Sequence, residues 1–359
     1  MTTKTKSMFA LAAIALCSAS ARADDAQSMF KFSGFGTLGA VHSDLDTADF
    51  TGGGFKPNGP GATRSVSWGV DSRLGAQLDA RLSNKLSAVV QVIAEQRYDN
   101  STTPYVEWAN LKYEVTPEFS VRAGRIALPT YVLSDSRKVG FANLAVRAPE
   151  PFYTILPITN NDGVDLSYRV SRGDVINTTT VFFGRNTIKI PKPLTEAKGT
   201  SMHGIVNNTE YGAMTFHVGY HEATVTLEPN IVKWPNKVLT MGLQYDPGTW
   251  YAIAEVIQTR MNRINDRRGA YVMGGYHVGQ FTPYVGYMRI SQLNEILFDE
   301  SQTVGTLGVK WNFAKNADLK LQYEHVDLGP RANGRLLTTP AFQRGSNFQL
   351  LSAAVDFVF

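Results

Sequence analysis

From Arg64 to Leu82 apolar and polar residues alternate. Val66, Trp68, Val70, Leu74, Ala76, Leu78, Ala80 and Leu82 share one face of an extended chain; Asp71, Arg73, Gln77, Asp79 and Arg81 share the other. A period of two is that of a β-strand whose faces meet different surroundings. Ser83-Asn84 breaks the run. Leu86, Ala88, Val90, Val92 and Ala94 then oppose Gln91, Glu95 and Arg97, which predicts a hairpin with a tight turn. The same alternation recurs in Ala109–Val115, Phe119–Ala123, Val164–Val170, Leu307–Phe313 and Leu319–Tyr323. No helical period of comparable length competes with it.

The breaks come in two sizes. Short ones fall near 83–84, 116–117, 171–174, 208–212, 246–248, 279–280 and 314–317. Long ones fall near 43–63, 99–104, 128–162, 186–201, 222–235, 261–268, 291–301 and 329–345. Seven short and eight long connections in alternation predict sixteen strands, with short turns on one rim and long loops on the other. The last residues, LSAAVDFVF, alternate again and stop on Phe359.

A soluble sandwich also alternates, but its inward face is dry. Here the polar face carries charges that no dry core holds unpaired. A wet lumen suits that face, and lipid suits the other. Trp68, Tyr113, Tyr168, Trp250, Tyr276, Trp311, Tyr323 and Phe359 fall near strand ends, as interfacial aromatic girdles do. The expected fold is all-β: a transmembrane antiparallel β-barrel of about sixteen strands. No run of 18 or more apolar residues predicts a membrane helix after the N-terminus.

Composition changes this picture only at the N-terminus. Lys4 and Lys6 precede an apolar run from Met8 to Cys17, followed by Ala21-Arg22-Ala23. That is the pattern of a signal peptide over residues 1–23, with the barrel domain over 24–359. The whole chain has a formal charge of +4. Removing Lys4, Lys6 and Arg22 from 35 basic residues leaves 32 against 31 acidic, about +1, and also removes the only cysteine. A nearly neutral mature chain gives no support to nucleic-acid binding.

A signal peptide, a first strand FKFSGFGTLGA, sixteen patterned strands and a terminal AAVDFVF together resemble the Gram-negative outer-membrane porins of the general, sixteen-stranded trimeric type. The resemblance covers essentially the whole mature chain. It implies a passive diffusion channel for small hydrophilic solutes and ions in the cell outer membrane. It also implies a homotrimer surrounded by outer-membrane lipid and lipopolysaccharide. Phe359 is then the assembly signal read by the barrel-assembly machinery. In that family the third extracellular loop follows strand five and folds inward to narrow the pore. Here Leu128–Gly163 holds that position and is the longest break. The acidic-Phe-Phe-Gly motif of enteric members is absent.

The resemblance implies a constriction of opposed charges, which select solutes by size and sign. The candidate wall residues are Asp71, Arg73, Arg81, Glu95, Lys112, Arg122, Arg125 and Asp165. The loop brings Asp135, Arg137, Lys138, Arg147, Glu150 and Asp162, whose charges sum to about zero. The expectation is weak selectivity leaning to anions.

Gly34, Gly36 and Gly39 match G-x-G-x-x-G, but the Gly-, Pro- and Asp-rich stretch that follows is no helix, so no cofactor is expected. His217 and His221 share a strand face without a third ligand, so no metal is expected. No nucleophile motif is present, and no catalytic residue is assigned. Two other functions fit the architecture: a substrate-specific channel for phosphate or an organic anion, and a structural or adhesive surface barrel. The first needs a cation ladder, which Asp71, Asp79, Glu95 and Glu114 interrupt. The second needs a lumen filled by side chains, and sixteen strands enclose an aqueous one.

Overall fold

The computed structural model describes residues 29–359 apart from 53–54, 192–194, 230–231, 264 and 295–298. The signal-peptide segment therefore lies outside the described residues.

Sixteen strands form the wall. They are β1 (Phe30–Ser43), β2 (Arg73–Arg81), β3 (Leu86–Glu95), β4 (Tyr105–Glu114), β5 (Phe119–Ala127), β6 (Asn160–Arg172), β7 (Val175–Lys189) and β8 (Glu196–Tyr211), then β9 (Met214–Glu228), β10 (Lys233–Tyr245), β11 (Trp250–Arg260), β12 (Arg267–Tyr276), β13 (Phe281–Gln292), β14 (Gln302–Ala314), β15 (Ala317–Leu328) and β16 (Asn347–Val358). Each pairs antiparallel with its sequence neighbours, and β1 also pairs with β16 from Phe35↔Val358 to Ser43↔Leu350. The closed barrel leaves no strand edge in lipid, where an unpaired backbone group would be costly.

The two faces match the alternation. Leu78, Val90, Leu111, Leu307, Leu321 and Leu351 are exposed on the outer face, whereas Gln91, Asp165, Gln322, Ser352 and Asp356 are buried on the inner one. Tyr113, Tyr168, Trp250, Tyr276 and Trp311 lie exposed beside the short turns, and the Trp250 and Tyr276 rings meet at a tilt of 54° with 4.4 Å between centroids. At the seam between the first and last strands, a Cβ on Gly34 would lie 2.3 Å from the Phe359 ring. One on Gly36 would lie equally close to Phe357. Those rings cover bare backbone, as aromatics do beside glycines in sheets. The G-x-G-x-x-G glycines are thus mid-strand residues of β1.

The seven short turns and eight long loops fall where the breaks predict, with five differences, one being that the turn expected near 208–212 is confined to 212–213 because β8 runs to Tyr211. The breaks near 186–201 and 222–235 are mostly strand, because β7 reaches Lys189, β8 starts at Glu196 and β9 runs to Glu228. Their polar residues are inward or rim positions of strands that rise past the apolar band. The run from Arg64 to Leu82 is not one strand: only Val66–Ser67 and Arg73–Arg81 are extended, with a turn between them. That turn puts Val70 at 2 % exposure and Trp68 at 69 %, although they share a parity. The third long loop ends at Thr159 rather than Gly163, because Asn160–Gly163 already pair within β6.

Candidate functional site

The loop between β5 and β6, residues 128–159, is built to pack. Leu128, Tyr131, Leu144, Ala145, Val146, Phe152, Tyr153, Ile155 and Leu156 are all buried. All of them but Val146 share a cluster with inward side chains such as Ile253, Tyr271, Tyr284 and Met288. Its backbone forms consecutive turns over 132–138, a 3₁₀ turn at Gly140–Ala142 and a one-turn helix, α1, at Glu150–Tyr153.

Polar wall residues hold the loop backbone at intervals. Near its start, Val132 N–H donates to Glu255 Oε2 at 2.8 Å, and Glu255 also accepts from Tyr271 at 2.7 Å and from Tyr153. At the 3₁₀ turn, Lys320 donates to Gly140 O and Lys310 to Phe141 O, both at 2.6 Å. Further on, Val146 N–H donates to Gln322 Oε1 at 3.0 Å, and Arg267 donates to Ile155 O at 2.8 Å. These partners stand on β11, β12, β14 and β15, across the barrel from the loop's roots. The loop therefore lies against the inner face of the wall.

Arg147 is the strongest of these anchors. It forms a bidentate pair with Asp71 at 2.9 and 2.7 Å, bonds Ser352 Oγ at 2.7 Å and pairs with Glu324. The group is buried, and the guanidinium lies 5.2 Å from the Phe50 ring centroid. Burial opposes its charge, but Asp71 and Glu324 outweigh that and hold its pKa above the ordinary arginine value. Asp71 and Arg147, both candidates for the pore, are thus a buried pair that fixes the loop.

The space left beside the loop is a 420 Å³ cavity. On one side Lys138 meets Glu95 at 2.6 Å and Glu107 at 3.8 Å, with Tyr105 donating to Glu95 at 2.5 Å. Burial disfavours the Lys138 charge, but Glu107 and Glu95 more than compensate and raise its pKa. Arg73 stands opposite Glu95 in register, 3.9 Å from its carboxylate. Arg125 also lines the cavity, paired at 2.7 Å with Asp162 of β6.

Four more cations line this opening with no carboxylate within 4 Å among the described residues: Lys56, Arg97, Arg137 and Lys189. Lys56 donates to Val70 O at 2.5 Å, and Arg137 to Tyr153 O at 3.4 Å. Arg97 and Lys189 stand 5.7 and 5.8 Å from the Tyr98 ring centroid, and Arg97 also lies 5.3 Å from that of Tyr105. An electron-rich ring steadies a cation without neutralising it. Against these four stands Glu150, whose carboxyl burial pushes up in pKa while Lys56 and Arg147 pull it down.

The remaining candidates divide by place. Arg122 pairs with Asp165 at 2.6 Å on the wall, and the loop's Asp135 faces them; burial raises the Asp135 pKa against the pull of Arg122. Arg81 and Lys112 sit at the short-turn rim, away from the loop, with Lys112 paired to Glu114 at 3.1 Å. Sequence reasoning did not single out Lys56 and Lys189, which fell in spans read as loop. It also passed over Lys310, Lys320 and Glu324, whose inward parity on β14 and β15 was the available signal.

A family model described as "Gram-negative porin" matches residues 10–357. No curated protein matches the sequence. Among solved structures, the chain is similar to an anion-selective porin from Comamonas acidovorans, with 15 % identity, a TM-score of 0.62, and coverage of 92 % of this chain and 99 % of that one. It is similar to the trimer form of OmpT from Vibrio cholerae, with 15 % identity, a TM-score of 0.57, and coverage of 92 % and 100 %. It is also similar to Salmonella typhi OmpF in complex with daunomycin, with 14 % identity, a TM-score of 0.59, and coverage of 92 % and 97 %.

Proposed function

The chain belongs to the Gram-negative porins and is an outer-membrane diffusion channel, and we propose that its lumen favours small hydrophilic anions. The observation that carries this is the pairing pattern around the 420 Å³ opening. Arg73, Arg125, Lys138 and Arg147 are answered by nearby carboxylates, whereas Lys56, Arg97, Arg137 and Lys189 are not. Fixed unpaired cations lower the barrier for an anion and raise it for a cation. Loop 128–159 narrows the path, and the Asp71–Arg147–Glu324 group holds it in place. The similar Comamonas protein is described as anion-selective, which supports the same reading here.

The functional unit is a homotrimer, a state for which the likeness to the trimer form of OmpT speaks. A leader over residues 1–23 is removed before assembly, and Phe359 marks the last strand for insertion. The test is single-channel recording of the refolded chain in a planar bilayer. Current steps in threes, reduced more by replacing chloride with a bulky anion than by replacing potassium with a bulky cation, are expected. Single steps would remove the trimer, and greater sensitivity to the cation would remove the anion preference. Block by one organic anion at concentrations far below that of the salt would favour a substrate-specific channel.

A further inference from the structure

The outer face carries a second cationic feature that conduction does not use. Arg268 on β12 and Arg289 on β13 point outward, into the surface that the barrel presents to lipid. Both are exposed, and neither has a hydrogen-bond or ion-pair partner among the described residues. They line a 340 Å³ concavity whose other walls include Leu239, Met241, Val256 and Ala270, with Gln258 and Ser291 at its polar end. Pairing places Gln258 beside Arg268, Arg268 beside Ser291, and Ala270 beside Arg289. Arg260 extends the cationic patch along the rim, in register with Lys237, which Glu222 answers at 3.1 Å. The next outward acid on the Arg289 row is Asp327, two strands away through Thr303.

The depth of the patch is informative. Arg268 is the second residue of β12, and Arg289 lies three residues inside the end of β13, both at the long-loop rim. Long loops mark the extracellular side of such barrels. The arginines therefore sit about 10 Å or less along the strand from the loops, at headgroup height in the outer leaflet. At that depth a lipid-facing arginine costs little by itself, and an anionic headgroup supplies the partner that neither guanidinium finds among the described residues. An apolar floor below two guanidinium forks matches acyl chains below a phosphate, which arginine binds bidentately.

We infer that this concavity is a binding site for a phosphorylated lipid of the outer leaflet, with Arg268 and Arg289 on the phosphate and Leu239, Met241, Val256 and Ala270 under the acyl chains. The test is native mass spectrometry of the refolded porin in detergent with bis-phosphorylated lipid A, dephosphorylated lipid A or inorganic phosphate. Wild type is expected to retain the phosphorylated lipid alone. R268Q/R289Q should bind it roughly tenfold or more weakly, with unchanged conductance, and R268K/R289K should keep measurable binding. Equal retention of both lipids by wild type overturns the assignment, and does so even should the glutamine variant not fold. Undiminished binding by a folded, conducting R268Q/R289Q overturns it as well. Crosslinking that places Arg268 against a neighbouring subunit would make the patch a protein interface and also overturn it.

Discussion

Arg147 answers two buried carboxylates at once, so its removal leaves charges without partners. Breaking a buried pair in this way costs about 3–5 kcal/mol. R147Q should therefore lower the thermal stability of the refolded barrel and free the middle of loop 128–159 from Asp71 and Glu324. A lower unfolding temperature together with larger, noisier current steps is the expected pair of readings. Glu150 gives a pH effect of defined sign. Burial raises its pKa, so it takes up a proton at a higher pH than an ordinary glutamate. Asp135 shifts the same way. As pH falls these two carboxylates are protonated before ordinary ones, the lumen loses negative charge, and the preference for anions should grow. E150Q should raise that preference at neutral pH and flatten its pH dependence, both read from reversal potentials.

At the scale of elements, two close approaches decide where backbone meets wall. A Cβ on Gly140 would lie 1.9 Å from Asp356 Oδ1 and 2.5 Å from Thr37 Oγ1. Gly140→Val should push the 3₁₀ turn off Lys320 and change conductance without loss of the barrel. At the seam, Gly34→Leu should meet Phe359 and lower the yield of heat-modifiable, folded protein on gels. Gly305→Ala, with nothing within 4 Å of its added Cβ, should leave that yield unchanged. The strands were legible because a two-residue period is local: each Leu or Val facing lipid declares itself beside a polar neighbour. Loop contacts were not. That Gly140 meets Asp356, or that Arg147 meets Asp71 and Glu324, depends on barrel closure bringing residues more than 70 positions apart together. The turn at 68–72 was hidden for a related reason, since Val70 kept the apolar parity while its backbone left the strand.

At the scale of the whole molecule, the net charge of about +1 on the mature chain says little about the lumen. What matters is which charges neutralise one another. The sequence showed candidate cations and acids in nearly equal number, and from these alone only a weak lean to anions could be read. Folding pairs Arg122 with Asp165 and Arg125 with Asp162, buries Arg147 between two acids, and sends Lys112 to the far rim. Lys56, Arg97, Arg137 and Lys189, from four separate segments, remain around the opening. The most direct test of the account is therefore the reversal potential in a KCl gradient, for wild type and for K56Q/R97Q/R137Q/K189Q. Wild type should show a potential of the sign set by chloride, and the variant should move it toward zero or past it. A cation-signed potential in wild type, or an anion-signed one that the four substitutions leave unchanged, would contradict it.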